Sequence, residues 1–246
     1  TNLMLGQIEI TAIYSGAFLC LFVLGDILYH FFKLKVEVTR KFVHIFTGLI
    51  CFSFPLFITT HWSVLFLTIS FALILIFSIR LNLLKSINAV DRKTVGSYMF
   101  PVSIYVMYLS YALIGRGSLD AVDVVWESTY DLNGILSNKA GMYYFLPLLV
   151  FSISDPLAAI VGQKWPIGKY SVKKEGKTLA GSLAFFGSAL LVSLLFTTHQ
   201  FSSLSHAILI ALLISLVTTI AEGISQKGFD NLFVPLAAIL VLIFFI

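Results

Sequence analysis

This sequence predicts an all-α polytopic membrane protein, a helical bundle of about eight transmembrane helices with its N-terminus outside. Three observations carry that expectation. Apolar residues make up 59% of the 246 residues and charged residues only 11%, too little polar material to cover a soluble domain of that size. Apolar runs near the spanning length of about 20 residues recur along the whole chain. The cations, finally, fall almost entirely into alternate connections, the asymmetry expected of membrane topology.

The expected spans are Ile10–Phe32, Phe42–Thr59, Trp62–Ile79, Tyr98–Ile114, Met142–Gly162, Leu179–Thr197, Ala207–Gly223 and Leu232–Ile246. The first apolar run leads into further spans without a small-residue cleavage site, so it reads as a helix of the bundle and not as a signal peptide. The last run is the shortest. With no internal repeat, low-complexity linker or composition break, residues 1–246 read as a single transmembrane domain. Cys20 and Cys51 lie in apolar runs without metal or redox spacing and read as small hydrophobes.

Charge orients the bundle. Spans one and two are joined through Lys33, Lys35, Arg40 and Lys41, and spans three and four through Arg80, Lys85, Arg92 and Lys93. Spans five and six are joined through Lys164, Lys169, Lys173, Lys174 and Lys177, and spans seven and eight through Lys227. Fourteen of the sixteen cations therefore share one side, which the positive-inside rule makes cytoplasmic. The opposite side keeps Arg116 and Lys139, in a loop with Asp120, Asp123, Glu127 and Asp131, where Val122, Val125, Trp126 and Leu132 suggest an interfacial helix. The net charge of +4 thus belongs to one face of a membrane protein, and nucleic-acid binding has no support beyond it.

Four polar constellations interrupt the apolar pattern, and with Asp26 all fall at the cytoplasmic end. Glu37, Arg40, Lys41, His44 and Gly48 share one helical stripe at the entry to span two, a wall suited to phosphate. In Ser152-Ile-Ser-Asp155-Pro156, proline disfavours helix in the residue before it. The expectation there is a broken span with Asp155 capping a half-helix. Ionisable groups at membrane depth are costly and mark function unless paired.

Gly176-Lys177-Thr178 has a P-loop flavour but lacks its pattern, because Ser171 stands where the first glycine belongs and no strand is expected before it. A lysine and free amides at the start of span six would still favour an anion. Last, Glu222, Asp230 and Asn231 offer hard oxygen donors of the kind Mg²⁺ takes beside substrate phosphates.

Taken together, Arg40-Lys41-x-x-His44-x-x-x-Gly48, Asp155-x-x-Ala158-x-x-x-Gly162, Gly168-Lys169, Lys177-Thr178-x-x-Gly181-Ser182-x-Ala184-x-Phe186, and Glu222 followed by Asp230-Asn231-x-x-x-Pro235 resemble the polyprenol kinase family. That family includes dolichol, phytol and farnesol kinases and the CTP-dependent diacylglycerol kinase. The chain departs from its pattern at Ser154, where a glycine is common, and at Ala180, where many members have Glu; the second leans toward the phytol kinase branch.

The resemblance implies transfer of the γ-phosphate of CTP or a related nucleotide to a membrane-dissolved isoprenoid alcohol such as phytol, farnesol or a polyprenol, on the cytoplasmic face of a bacterial inner membrane or an organelle membrane. It implies catalytic roles for Asp155, His44 and Lys177, and phosphate binding by Arg40, Lys41, Lys169, Lys177, Thr178, Gly181 and Ser182. Asp155, Glu222, Asp230 and Asn231 would serve Mg²⁺. The nearest competitor is a phospholipid cytidylyltransferase making a CDP-activated lipid, but its His-Gly-Gly and Asp-Arg-x-Asp signature is missing here. A small-molecule transporter would place its site near the midplane between repeated halves, whereas these groups gather at one face.

Overall fold

Backbone amides cannot stay unpaired in hydrocarbon, so apolar runs of this length close their hydrogen bonds within helices. The computed structural model describes residues 2–81, 83–88, 95–115, 117, 139–172 and 175–245. Among these, seven helical segments are long and apolar enough to cross a membrane. In chain order they begin with α1 (Asn2–His30), then α2 (Val36–Phe52) with its short continuation α3 (Phe54–Phe57), and α4 (His61–Arg80). After the single turn α5 (Lys85–Asn88) comes α6 (Gly96–Ser110), which ends in a π-helical stretch at Tyr111–Gly115. The pair α7 (Lys139–Leu149) and α8 (Asp155–Lys164) forms one span, followed by α9 (Leu179–Gln200) and α10 (Leu204–Ile224).

The expected eighth span is α11 (Asp230–Phe245), whose 16 residues rise only about 24 Å. All eight expected spans are therefore helices, and the chain is a multi-pass membrane protein. Large apolar side chains such as Ile13, Phe66 and Leu191 point outward, as suits a bilayer solvent. The outer loop with its expected interfacial helix, together with Arg92, Lys93, Lys173 and Lys174, lies outside the described residues.

Two expectations are corrected. The span through Asp155-Pro156 does not break. Val150–Ser154 forms a π-helical turn that joins α7 to α8, and Asp155 keeps helical torsions of φ −64° and ψ −47° without acting as a cap. A proline ring clashes with the carbonyl four residues back in a regular α-helix; the wider π-turn relieves that clash while the helix continues. The connection between α8 and α9 also holds strands. β1 (Lys169–Val172) and β2 (Glu175–Thr178) pair antiparallel, with Lys169 opposite Thr178 and Val172 opposite Glu175. A strand thus does precede α9, although the missing P-loop glycine still separates this hairpin from that motif.

Three glycines let helices come close. A Cβ on Gly48 would stand 2.1 Å from Ser152 Oγ, so α2 lies directly on the π-turn. A Cβ on Gly181 would come within 2.9 Å of the Ala158 carbonyl, and one on Gly162 within 2.7 Å of Thr178 Oγ1, which brings α9 against α8.

The cation-bearing connections meet at one end of the bundle. Thr39 Oγ1 donates to the Ser86 carbonyl at 2.7 Å, the Ser86 amide to Asp26 Oδ1 at 3.1 Å, and the Val95 amide to the Lys227 carbonyl at 2.7 Å. The other end is tied by tyrosines. Tyr144 and Tyr108 donate to the carbonyls of Cys51 and Ile58 at 2.7 and 2.8 Å, and Tyr14 shares a 2.6 Å hydrogen bond with Ser53.

Candidate active site

Helix α2 enters the bundle from the cation-rich end, and its 3.6-residue period turns Arg40, Lys41 and His44 inward on one stripe. That stripe faces the π-turn and α8. Lys41 Nζ reaches Asp155 Oδ2 at 2.5 Å, and both side chains are largely buried. His44 donates from Nε2 to the Phe151 carbonyl at 3.3 Å, stands 3.9 Å from Asp155 Oδ2, and packs edge-on against Phe100 and Phe151. Arg40 pairs with Glu37 at 2.8 Å, while its Nε is buried without a partner among the described residues. A buried donor left unpaired costs about 1–3 kcal/mol, which an arriving anion would recover.

A second pair lies across the cavity. β2 carries Lys177 to Glu222 at the end of α10, where Nζ meets Oε1 at 2.5 Å and also donates to the Glu222 carbonyl. Asp230 opens α11, and the charges of Asp155, Glu222 and Asp230 act on one another across the site. Asn231 donates its side-chain amide to the Gly96 carbonyl at 2.6 Å. This commits the amide nitrogen to the protein and leaves the oxygen as the atom a cation would meet. All three carboxylates line the same cavity, Asp155 paired with Lys41 and Glu222 with Lys177, and such cations offset the repulsion of like charges.

These groups line the mouth of one cavity of about 400 Å³. The structure brings there Arg40, Lys41, His44, Asp155, Lys177, Thr178, Gly181, Ser182, Glu222, Asp230 and Asn231, drawn from five separate stretches of sequence. Thr178 and Ser182 form wall more than ligand: Thr178 Oγ1 caps α9 by accepting from the Gly181 amide at 3.1 Å, and Ser182 Oγ bonds Tyr170 at 2.8 Å. Lys169 is the exception. Side chains alternate along a strand, so Tyr170 facing Ser182 turns exposed Lys169 away from the cavity.

A phytol kinase of Synechocystis sp. is 26% identical to this chain over 205 residues, covering 83% of the chain and 78% of that protein. That likeness supports a polyprenol/phytol kinase-like family at the level of family. An uncharacterized protein of Methanocaldococcus jannaschii is 35% identical over 91 residues, 37% of the chain and 42% of that protein. No family model matches, and no solved structure does.

What sequence reasoning missed is the inner half of the cavity. Phe18 and Phe22 of α1, Leu67, Phe71 and Leu75 of α4, and Ile104 of α6 continue its lining away from the charged mouth. Their only signal is repetition at i and i+4, which any buried helix face also shows.

Proposed function

We propose that this protein is a membrane lipid-alcohol kinase, which transfers the γ-phosphate of a nucleoside triphosphate, CTP before others, to the hydroxyl of an isoprenoid alcohol. The observation that carries this is the continuity of one cavity from a mouth lined by Arg40, Lys41, Lys177 and three carboxylates into an arm lined by apolar side chains. A phosphate donor and a lipid acceptor need such a junction of opposite solvents. The kinase relative supports the reaction class, and the preference for CTP rests on the family resemblance.

Phosphoryl transfer asks a protein chiefly for positioning and charge neutralisation. Arg40, with its unpartnered Nε, and Lys177 would hold the phosphates, and Lys41 would keep Asp155 ionised beside them. The acceptor oxygen attacks the γ-phosphorus as the bond to the β-phosphate oxygen breaks, leaving CDP. The hydroxyl proton would pass to Asp155 or to His44, whose Nε2–H donates to the Phe151 carbonyl and so leaves Nδ1 as its basic nitrogen.

The donor set fits Mg²⁺. Arg40, Lys41 and Lys177 are already balanced by Glu37, Asp155, Glu222 and Asp230, so a triphosphate would arrive with its charge uncompensated. Among the described residues no group of three or more His, Cys, Asp or Glu stands ready to hold a metal alone. That suits an ion carried in on phosphates, with Asp155 and Asp230 as ligands and Glu222 and Asn231 in support. Bound there, Mg²⁺ would neutralise charge on the phosphate oxygens. The single domain would present this mouth to the cytoplasm by the positive-inside rule.

The test is purified protein with labelled CTP, Mg²⁺ and a panel of free lipid alcohols. CDP and a lipid monophosphate are expected. Release of pyrophosphate, with phosphatidic acid as the only productive acceptor, would overturn the kinase in favour of a cytidylyltransferase.

A further inference from the structure

Resting on the kinase assignment above, we infer that the apolar arm of the cavity is a closed chamber that measures the acceptor's chain, admitting about a dozen main-chain bonds and excluding long polyprenols. Depth is set by the helices themselves. Lys41 stands at the phosphate end of α2 and Cys51 lines the same cavity ten residues further in, about 15 Å along the helix axis. Helix α4 runs the opposite way and keeps the same order, with Leu75 near the mouth and Leu67 near the bottom; on α1, Phe22 lies above Phe18. An extended chain advances about 3.3–3.6 Å for every three bonds, so about 15 Å holds about thirteen bonds.

The bottom is shut by aromatic rings and not by open bilayer. Phe54, 1% exposed, meets Tyr14 edge-on at 4.8 Å and Phe18 at 6.2 Å, and Phe18 packs on Phe71 at 4.5 Å. Behind these rings stand the tyrosine hydrogen bonds to Ser53 and to the Cys51 carbonyl, which tie the segment around Phe54 to its neighbours.

The described lining of the arm is mostly apolar, interrupted by the hydroxyls of Thr47 on α2 and Thr68 on α4. Thr68, the one hydroxyl of α4 in the lining, donates inside its own helix to the Val64 carbonyl at 2.9 Å. The chemistry it suits is a single, largely unfunctionalised hydrocarbon chain ending in one alcohol at the Asp155 level, as in a prenyl alcohol of about three isoprene units, each unit adding about four main-chain bonds. A two-chain glycerolipid or a polyprenol of ten or more units would not fit.

The experiment reads chain length on the purified protein in two ways. One is kcat/KM with CTP for prenyl alcohols of two, three, four and ten or more units. The other is thermal stabilisation by the same alcohols without nucleotide. Each methylene added inside the chamber should raise kcat/KM about four-fold, the 0.8 kcal/mol of its burial, up to about a dozen bonds, and both readouts should fall away for the long polyprenol.

Leu67→Phe fills the bottom and should move the optimum down by about one isoprene unit; Phe54→Ala opens it and should move the optimum up. A long polyprenol used as well as the three-unit alcohol, or an optimum unmoved in a folded Leu67→Phe protein, would overturn the chamber. If neither variant folds, the length profile of the unmodified protein decides. No CDP from any alcohol, with the length-limited stabilisation intact, would instead remove the kinase assignment and leave the chamber standing.

Discussion

Replacing Asp155 by Asn tests whether its carboxylate serves chemistry or only the neighbouring lysine. In the native protein Lys41 Nζ is 2.5 Å from Asp155 Oδ2, and only 14% and 8% of the two side chains are exposed. Asn keeps the shape and a hydrogen bond but strands the ammonium. Removing one member of a buried pair costs about 3–5 kcal/mol, and the residual hydrogen bond argues for the low end, about 3 kcal/mol. Turnover should fall by about 10² or more, the scale of losing a principal electrostatic contact in the transition state.

The double variant Lys41→Met with Asp155→Asn separates the two effects. It no longer buries an unpaired charge, so unfolding in detergent followed by heat should show most of the lost stability returning. CDP release measured alongside should stay at the level of the single Asp155→Asn protein. Turnover that recovered together with stability would refute a chemical role and reduce Asp155 to the partner of Lys41.

Lys177→Ala should raise the nucleotide KM and lower kcat together in steady-state kinetics, because a phosphate clamp acts on both bound and transition states. Gly48→Ala should destabilise the protein by about 1–3 kcal/mol in thermal unfolding, since its Cβ would stand 2.1 Å from Ser152 Oγ. Ser152→Gly in the same chain should restore most of that loss, whereas Gly176→Ala, with nothing within 4 Å of its Cβ, should be neutral in the same measurement. Single cysteines at Ser118 and Ser171, in a background lacking Cys20 and Cys51, should be labelled by an impermeant maleimide from opposite faces of the membrane; labelling of both from the same face would overturn the convergence of the polar groups at one end.

The eight spans were legible because hydrocarbon leaves a helix as the only way to satisfy each segment's backbone. The charged stripe Arg40, Lys41, His44 was legible for a related reason: such residues stand out against an apolar background, and helical period fixes which face they share. The β1–β2 hairpin was not, because two strands of four residues each in a lysine-rich connection leave no alternation long enough to read. The turn at Val150–Ser154 was missed because the Asp155-Pro156 pair signals a break, and only packing against Gly48 shows the helix continuing. The inner arm was invisible for a deeper reason. A side chain that lines an empty chamber and one that fills a core are chosen by the same exclusion of water.

The π-turn before Asp155 amounts to one residue more than a regular helix would use over the same rise. One residue is about 100° of helical rotation. The faces of α7 and α8 are therefore out of phase: what α7 presents to its neighbours would, without the extra residue, be presented by a different side of α8. Asp155 looks at Lys41 only because of that offset. Deleting any one residue between Val150 and Ser154 would let the span wind as an uninterrupted α-helix, its apolar content and length nearly unchanged, and would swing the carboxylate about a quarter turn out of the cavity. Here a chain one residue shorter would remain a membrane helix and cease to be a site.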